Sequence, residues 1–150
     1  MAEVHDRIVI TNDTKFLGFV REFMSRMIRQ SSLSREDENK IILAVDEAVA
    51  NIIEHAYENQ REGTIDVEVE SDAKRFQVVI RDSGKKFAPD GVGSPDMEDH
   101  VKAKKKKGLG IYLMRLIMDE VRYTFREGIQ NELVLVKYVG GKPKAPAGQG

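Results

Sequence analysis

The sequence predicts one α+β domain: a two-layer α/β sandwich in which a mostly antiparallel mixed sheet carries its helices on one face. Two observations point to this class. Two long segments carry apolar residues at helical spacing, and several short ones alternate apolar with polar residues. A third sets the scale, since 150 residues is the length of one ordinary domain, with enough chain to bury a single core.

Arg7–Thr11, with Ile8 and Ile10 on either side of Val9, reads as a first strand. Asn12, Asp13 and Thr14 can cap a helix start, and Phe16, Phe19, Val20, Phe23, Met27 and Ile28 predict a helix from Lys15 to Gln30. Ser34 then caps a second helix from Arg35 to Glu58, with Glu36 and Asp37 favourable in its first turn. Its apolar stripe is Ile41, Val45, Ala48, Ile52 and Ala56, and Lys40, Glu47, Asn51, Glu54 and Glu58 read as the opposite side. Ile65, Val67 and Val69, then Phe76, Val78 and Ile80, alternate around a polar turn at Ser71–Lys74, which predicts an antiparallel hairpin. Between Asp82 and Lys107, Gly, Pro, Asp and Lys dominate, the composition of a long functional loop or lid. Ile111, Leu113, Met114, Ile117 and Met118 predict a third helix reaching Glu120, followed by strands at Val121–Arg126 and Glu132–Val139. Residues 1–139 are expected to form the domain, and 140–150, rich in Gly, Pro and Lys, a disordered tail.

Composition removes several classes of function. The chain has no cysteine, so disulfides, thiol catalysis and cysteine metal sites are excluded. A formal net charge of −1 argues against general nucleic-acid binding. No apolar run is long enough to span a bilayer and the N-terminus lacks the plan of a signal peptide, so a cytoplasmic location is expected.

Three places carry candidate chemistry. Glu47 and Asn51, four residues apart, share a helix face, where a carboxylate can take a proton and an amide oxygen can hold magnesium; the same spacing also suits a solvated face. Asp82-Ser83-Gly84 closes a strand with an acceptor for a ligand amine and a residue that lets the backbone approach a ring; it also suits an ordinary turn. Gly108-Leu109-Gly110 opens a helix, whose free amides suit phosphate, after the lysine run Lys104–Lys107. The order of residues is neither that of a P-loop nor that of a dinucleotide fingerprint.

Taken together, the order and spacing of these places resemble the ATPase superfamily of gyrase, histidine kinases and mismatch-repair proteins. Within it the likeness is to the anti-sigma-factor serine/threonine kinases. Leu43-Ala-Val-Asp-Glu-Ala-Val-Ala-Asn-Ile-Ile-Glu-His-Ala-Tyr57 looks like the first motif of that family. Asp82-Ser-Gly-Lys-Lys-Phe-Ala-Pro89 is similar to its second, and the stretch from Gly108 to Val121 to its third. The resemblance covers residues 7–139 and implies an ATP-binding fold, with ATP and Mg2+ as cofactors.

The resemblance makes Glu47 the general base toward a serine hydroxyl and Asn51 the magnesium ligand. Asp82 would accept from the adenine amine, and Gly84 would admit the ring. Gly108, Leu109 and Gly110, with Lys107, would hold the phosphates. It further implies a kinase of an anti-anti-sigma partner that also sequesters a sigma factor, and a tendency to form homodimers. The alternative is a non-catalytic, nucleotide-dependent protein-binding module of a partner-switching system. The chain departs from the superfamily pattern in having Lys85 and Lys86 where a second glycine is common, no Thr in Asn131–Lys137, and no arginine between Asp82 and Arg115.

Overall fold

The computed structural model describes residues 3–56, 63–82, 112–126 and 130–141. In chain order these form β1 (Val4–Thr11), a 3-10 turn (Thr14–Phe16), α1 (Leu17–Gln30), α2 (Arg35–Asn51), a π-helical turn (Ile52–Ala56), β2 (Thr64–Ser71), β3 (Arg75–Asp82), α3 (residues 112–117), β4 (Glu120–Arg126) and β5 (Gln130–Tyr138). The five strands make one sheet in the order β1-β2-β3-β5-β4. Its pairings among the described residues are all antiparallel, without the parallel component that the sequence suggested.

Local chemistry explains the boundaries. Asp13 caps the turn before α1 by accepting from the Lys15 amide at 3.0 Å, and Ser34 caps α2 by accepting from the Asp37 amide. β1 begins at Val4, earlier than the alternation of Ile8 and Ile10 indicated. The added stretch is held through the outward side chain of His5, which meets Glu68 on β2, and beside it Arg7 meets Asp66. α3 ends earlier than predicted, at residue 117. Its last turn closes with the Met118 amide on the Met114 carbonyl, the Lys137 ammonium covers the Ile117 carbonyl at 2.9 Å, and the Asp119 amide turns to Val136 of β5. Glu120 therefore opens β4 instead of ending the helix. Gly140 and Gly141, which the sequence assigned to the tail, form a turn after β5 with φ of 78° and 94°, a backbone that suits glycine.

Strict alternation gives the sheet two unlike faces. Ile8 and Ile10, Ile65, Val67 and Val69, Phe76, Val78 and Ile80, Leu133 and Leu135 point inward. They pack against Val20, Phe23, Met24, Met27 and Ile28 of α1, Ile41, Ala44, Val45, Ala48 and Val49 of α2, and Met114 of α3. The outward face carries a ladder of ion pairs: His5–Glu68 at 2.6 Å, Arg7–Asp66 and Arg81–Glu68 at 2.8 Å, and Arg81–Glu132 at 2.9 Å. α1 and α2 are tied by Glu38, which accepts from Ser25 and Arg29, and by Arg21 on Asp46.

Two predictions follow from the two faces. Phe76 is fully buried, so Phe76→Ala should cost about 3–5 kcal/mol in urea unfolding. Val9→Ala, on an exposed position of β1, should stay within about 0.5 kcal/mol of wild type. On the outward face the Glu68 hydrogen bond, then the Glu70 charge, raises the His5 pKa above its ordinary 6.5, and the His5 and Arg81 hydrogen bonds lower Glu68 below its ordinary 4.5. The raised His5 stabilises fully below 6.5 and ceases to do so as pH rises through its folded value; the lowered Glu68 stabilises above 4.5 and ceases to do so as pH falls. The stability gap between wild type and His5→Gln should thus be widest between pH 4.5 and 6.5 and narrow as pH rises through the raised folded pKa of His5, as read by thermal unfolding across pH.

Candidate functional site

Asn51 is the last residue of α2, and the structure corrects its placement on the solvated side of that helix. It is 3% exposed. At about 100° per residue, Asn51 falls only about 20° from Ala44 around the helix axis, one face with Ala44 and Ala48. A polar side chain thus occupies a core position, and its Nδ2 has no hydrogen-bond partner among the described residues. Burying such a donor is costly unless something satisfies it. The helix widens into a π turn directly after it, a feature frequent at functional sites.

Asp82 ends β3 on the same inward face, 5% exposed. It stands opposite Asn131 in the β3–β5 ladder, and the Asn131 Nδ2 donates to its Oδ1 at 3.0 Å. The Tyr123 hydroxyl on β4 donates in turn to Asn131 Oδ1 at 2.6 Å. A cavity of about 20 Å³ lies between the helices and the sheet, lined by Ala48, Asn51, Asp82, Met114, Tyr123 and Asn131 among others. That volume suits about one water molecule. Met114, an unbranched and adaptable side chain on α3, forms part of the cavity wall.

Glu47 lies one helical turn before Asn51 at the margin of the buried face, and is half-buried. Burial raises its pKa above the ordinary 4.5, and the charges of Asp46 and Glu54 raise it further. That places the carboxylate nearer the range in which a general base works at neutral pH. Glu54 is exposed. Gly84, Lys107, Gly108, Leu109 and Gly110 lie outside the described residues, as do Glu58 and the lysine run.

The fold therefore brings Asn51 and Asp82 to one cavity from two distant motifs. It adds Asn131 and Tyr123, which motif spacing does not reveal. Their signal in the sequence is parity: Asn131 shares the inward phase of Leu133 and Leu135, and Tyr123 that of Val121, so each is a polar group in a row of apolar ones. A larger cleft of about 210 Å³ lies at the opposite end of the β2–β3 hairpin, lined by residues such as His5, Glu70, Asp72 and Arg75. It holds none of the motif residues. The ligand atoms of His5, Glu68 and Glu70 lie within 4.8 Å of one another, but the imidazole and Arg81 already engage Glu68, and the group reads as part of the outward ion-pair ladder.

Known proteins resemble this chain in sequence, and one solved structure resembles it in fold. The serine-protein kinase RsbW of Listeria monocytogenes serovar 1/2a is 27% identical over 148 residues, covering 95% of this chain and 93% of that protein. The protein of the same name from Bacillus velezensis is 28% identical, covering 89% of this chain and 84% of its own, and that of Bacillus subtilis is 26% identical, covering 85% and 81%. Among solved structures, the histidine kinase domain of the blue-light activated histidine kinase from Erythrobacter litoralis EL346 superposes with a TM-score of 0.54 at 16% identity. The likeness covers 87% of this chain and 62% of that one, and it bears on the fold alone. No helix among the described residues is long and apolar enough to cross a membrane. Residues 10–137, which run from β1 into β5, match the histidine kinase-like ATPase domain, and the chain belongs to that family.

Proposed function

We propose that this chain is an ATP-binding serine protein kinase of the anti-sigma type, phosphorylating an anti-anti-sigma partner and sequestering a sigma factor. The observation that carries the nucleotide site is the shared cavity: a buried carboxylate, Asp82, and a buried amide, Asn51, whose donor has no partner among the described residues, face it from opposite layers. This donor set fits a ligand that combines an amine with acceptor groups, as adenine and its phosphates do. The named serine kinases of similar length and sequence support the choice of reaction.

In this reading Asp82 accepts from the adenine 6-amine and Gly84 lets the ring approach the backbone. Asn51 offers its oxygen to Mg2+, and Lys107, Gly108, Leu109 and Gly110 hold the phosphates. Bound magnesium supplies charge neutralisation on the phosphates. Glu47 takes the proton from the attacking serine hydroxyl, and its raised pKa matches that task. Phosphoryl transfer needs positioning and electrostatic stabilisation more than covalent help, so one placed carboxylate beside a nucleotide cavity is a sufficient protein contribution.

Calorimetry with ATP and Mg2+ tests the pocket: wild type should bind, and Asp82→Asn should lose binding by an order of magnitude or more, since a carboxylate acceptor is removed. Glu47→Gln should keep ATP binding while phosphate transfer to a serine-bearing partner falls by about 10²–10⁴. Intact binding with no transfer even in wild type would instead identify the non-catalytic binding module. The pH profile gives a separate check. Transfer should decline as pH falls through the Glu47 pKa, with the acid limb above the ordinary 4.5.

A further inference from the structure

Asp82 is one member of a chain of three buried or half-buried polar side chains. Tyr123 on β4, Asn131 on β5 and Asp82 on β3 sit on the inward face of three neighbouring strands. The direction of their hydrogen bonds is fixed by chemistry. Asn131 Oδ1 can only accept, so the Tyr123 hydroxyl, 2.6 Å away, donates to it. The Asp82 carboxylate, which only accepts, settles which end of the amide is which by taking Nδ2 at 3.0 Å, and the phenol, which can donate or accept, then donates to the oxygen left at the other end. An amide turned over would set its oxygen against the carboxylate, two acceptors in a place with little water to separate them. The amide therefore donates to the carboxylate at one end and is held by the phenol at the other.

A carboxylate held this way is an acceptor of set direction. It suits a ring edge that donates, such as the 6-amine of adenine, and opposes one that accepts, such as the 6-oxo group of hypoxanthine or guanine. We propose that Asn131 and Tyr123 are positioning residues that set the preference of the site for 6-amino over 6-oxo purine nucleotides, acting through Asp82. This rests on the reading of Asp82 as the adenine acceptor.

The experiment compares ATP and inosine triphosphate, each with Mg2+, by calorimetry on wild type, Asn131→Ala, Tyr123→Phe and Asp82→Asn, with circular dichroism and thermal unfolding as controls for folding. Wild type should prefer ATP. Asn131→Ala should lose about tenfold or more in ATP affinity, the size expected for a hydrogen bond to a charged group. Tyr123→Phe should lose several-fold, and inosine triphosphate should be little affected in either, so the selectivity ratio falls.

A ratio that stays at the wild-type value, whether both affinities persist or both fall together, would overturn the proposal, because a merely structural role moves both nucleotides alike. Should Asn131→Ala fail to fold, Tyr123→Phe, which removes one hydroxyl from a half-buried ring, decides the matter alone. Asp82→Asn separates the two levels of argument. If it loses ATP while the other two variants keep wild-type selectivity, the adenine site stands and the positioning role falls. If wild type itself does not bind ATP, or Asp82→Asn binds as well as wild type, both fall.

Discussion

β3 is hydrogen-bonded on both edges, to β2 and to β5, and its register decides which of its side chains reach the core. Phe76, Val78 and Ile80 are buried in that phase, and Asp82 continues the same row at the strand end. A slip of one residue would turn Arg81 inward and take Asp82 out to the polar face. Arg81 also opposes the slip from outside, because its guanidinium bridges Glu68 on β2 and Glu132 on β5. The cavity thus inherits its carboxylate from the packing of three apolar residues and from an ion-pair bridge on the other face.

The same alternation separates two kinds of polar chemistry. On the outward face, charges are paired across strands in contact with water, where each pair contributes modestly to stability. On the inward face the few polar groups are buried, so each must be satisfied or be held for a ligand. Asn131 is satisfied by Tyr123 and Asp82. Asn51 Nδ2 is not satisfied among the described residues, and this distinguishes the cavity from a merely well-packed corner of the core. None of the residues lining the larger cleft carries such a group among the described residues.

The cavity also joins elements of unequal strength. Its floor is a central strand and its back wall a long capped helix, α2. Its third wall is α3, joined to β5 through the Lys137 ammonium and followed at once by the Asp119 amide bond to Val136. An acceptor fixed in a central strand thus faces a wall that includes the adaptable side chain of Met114.

The sequence by itself determined the alternation and helical periods that specify a two-layer α+β fold, the Ser34 cap, the hairpin, and the motif positions Glu47, Asn51 and Asp82. These are local properties, readable from spacing, because side-chain direction repeats with period 2 in strands and 3.6 in helices. Tertiary structure decided what lay beyond local reach. A polar residue at the end of an amphipathic helix looks solvated until the sheet it packs on is known, and so Asn51 was assigned to the wrong side. Asn131 and Tyr123 join the cavity only because β5 folds back beside β3 and β4 pairs with β5, a contact over 49 residues of sequence between Asp82 and Asn131 that no motif spacing encodes. The end of α3 was set likewise, by Lys137 and Val136 of β5 capturing the chain after residue 117. The physical reason is common to all three: the partner that fixes each group comes from a distant part of the chain.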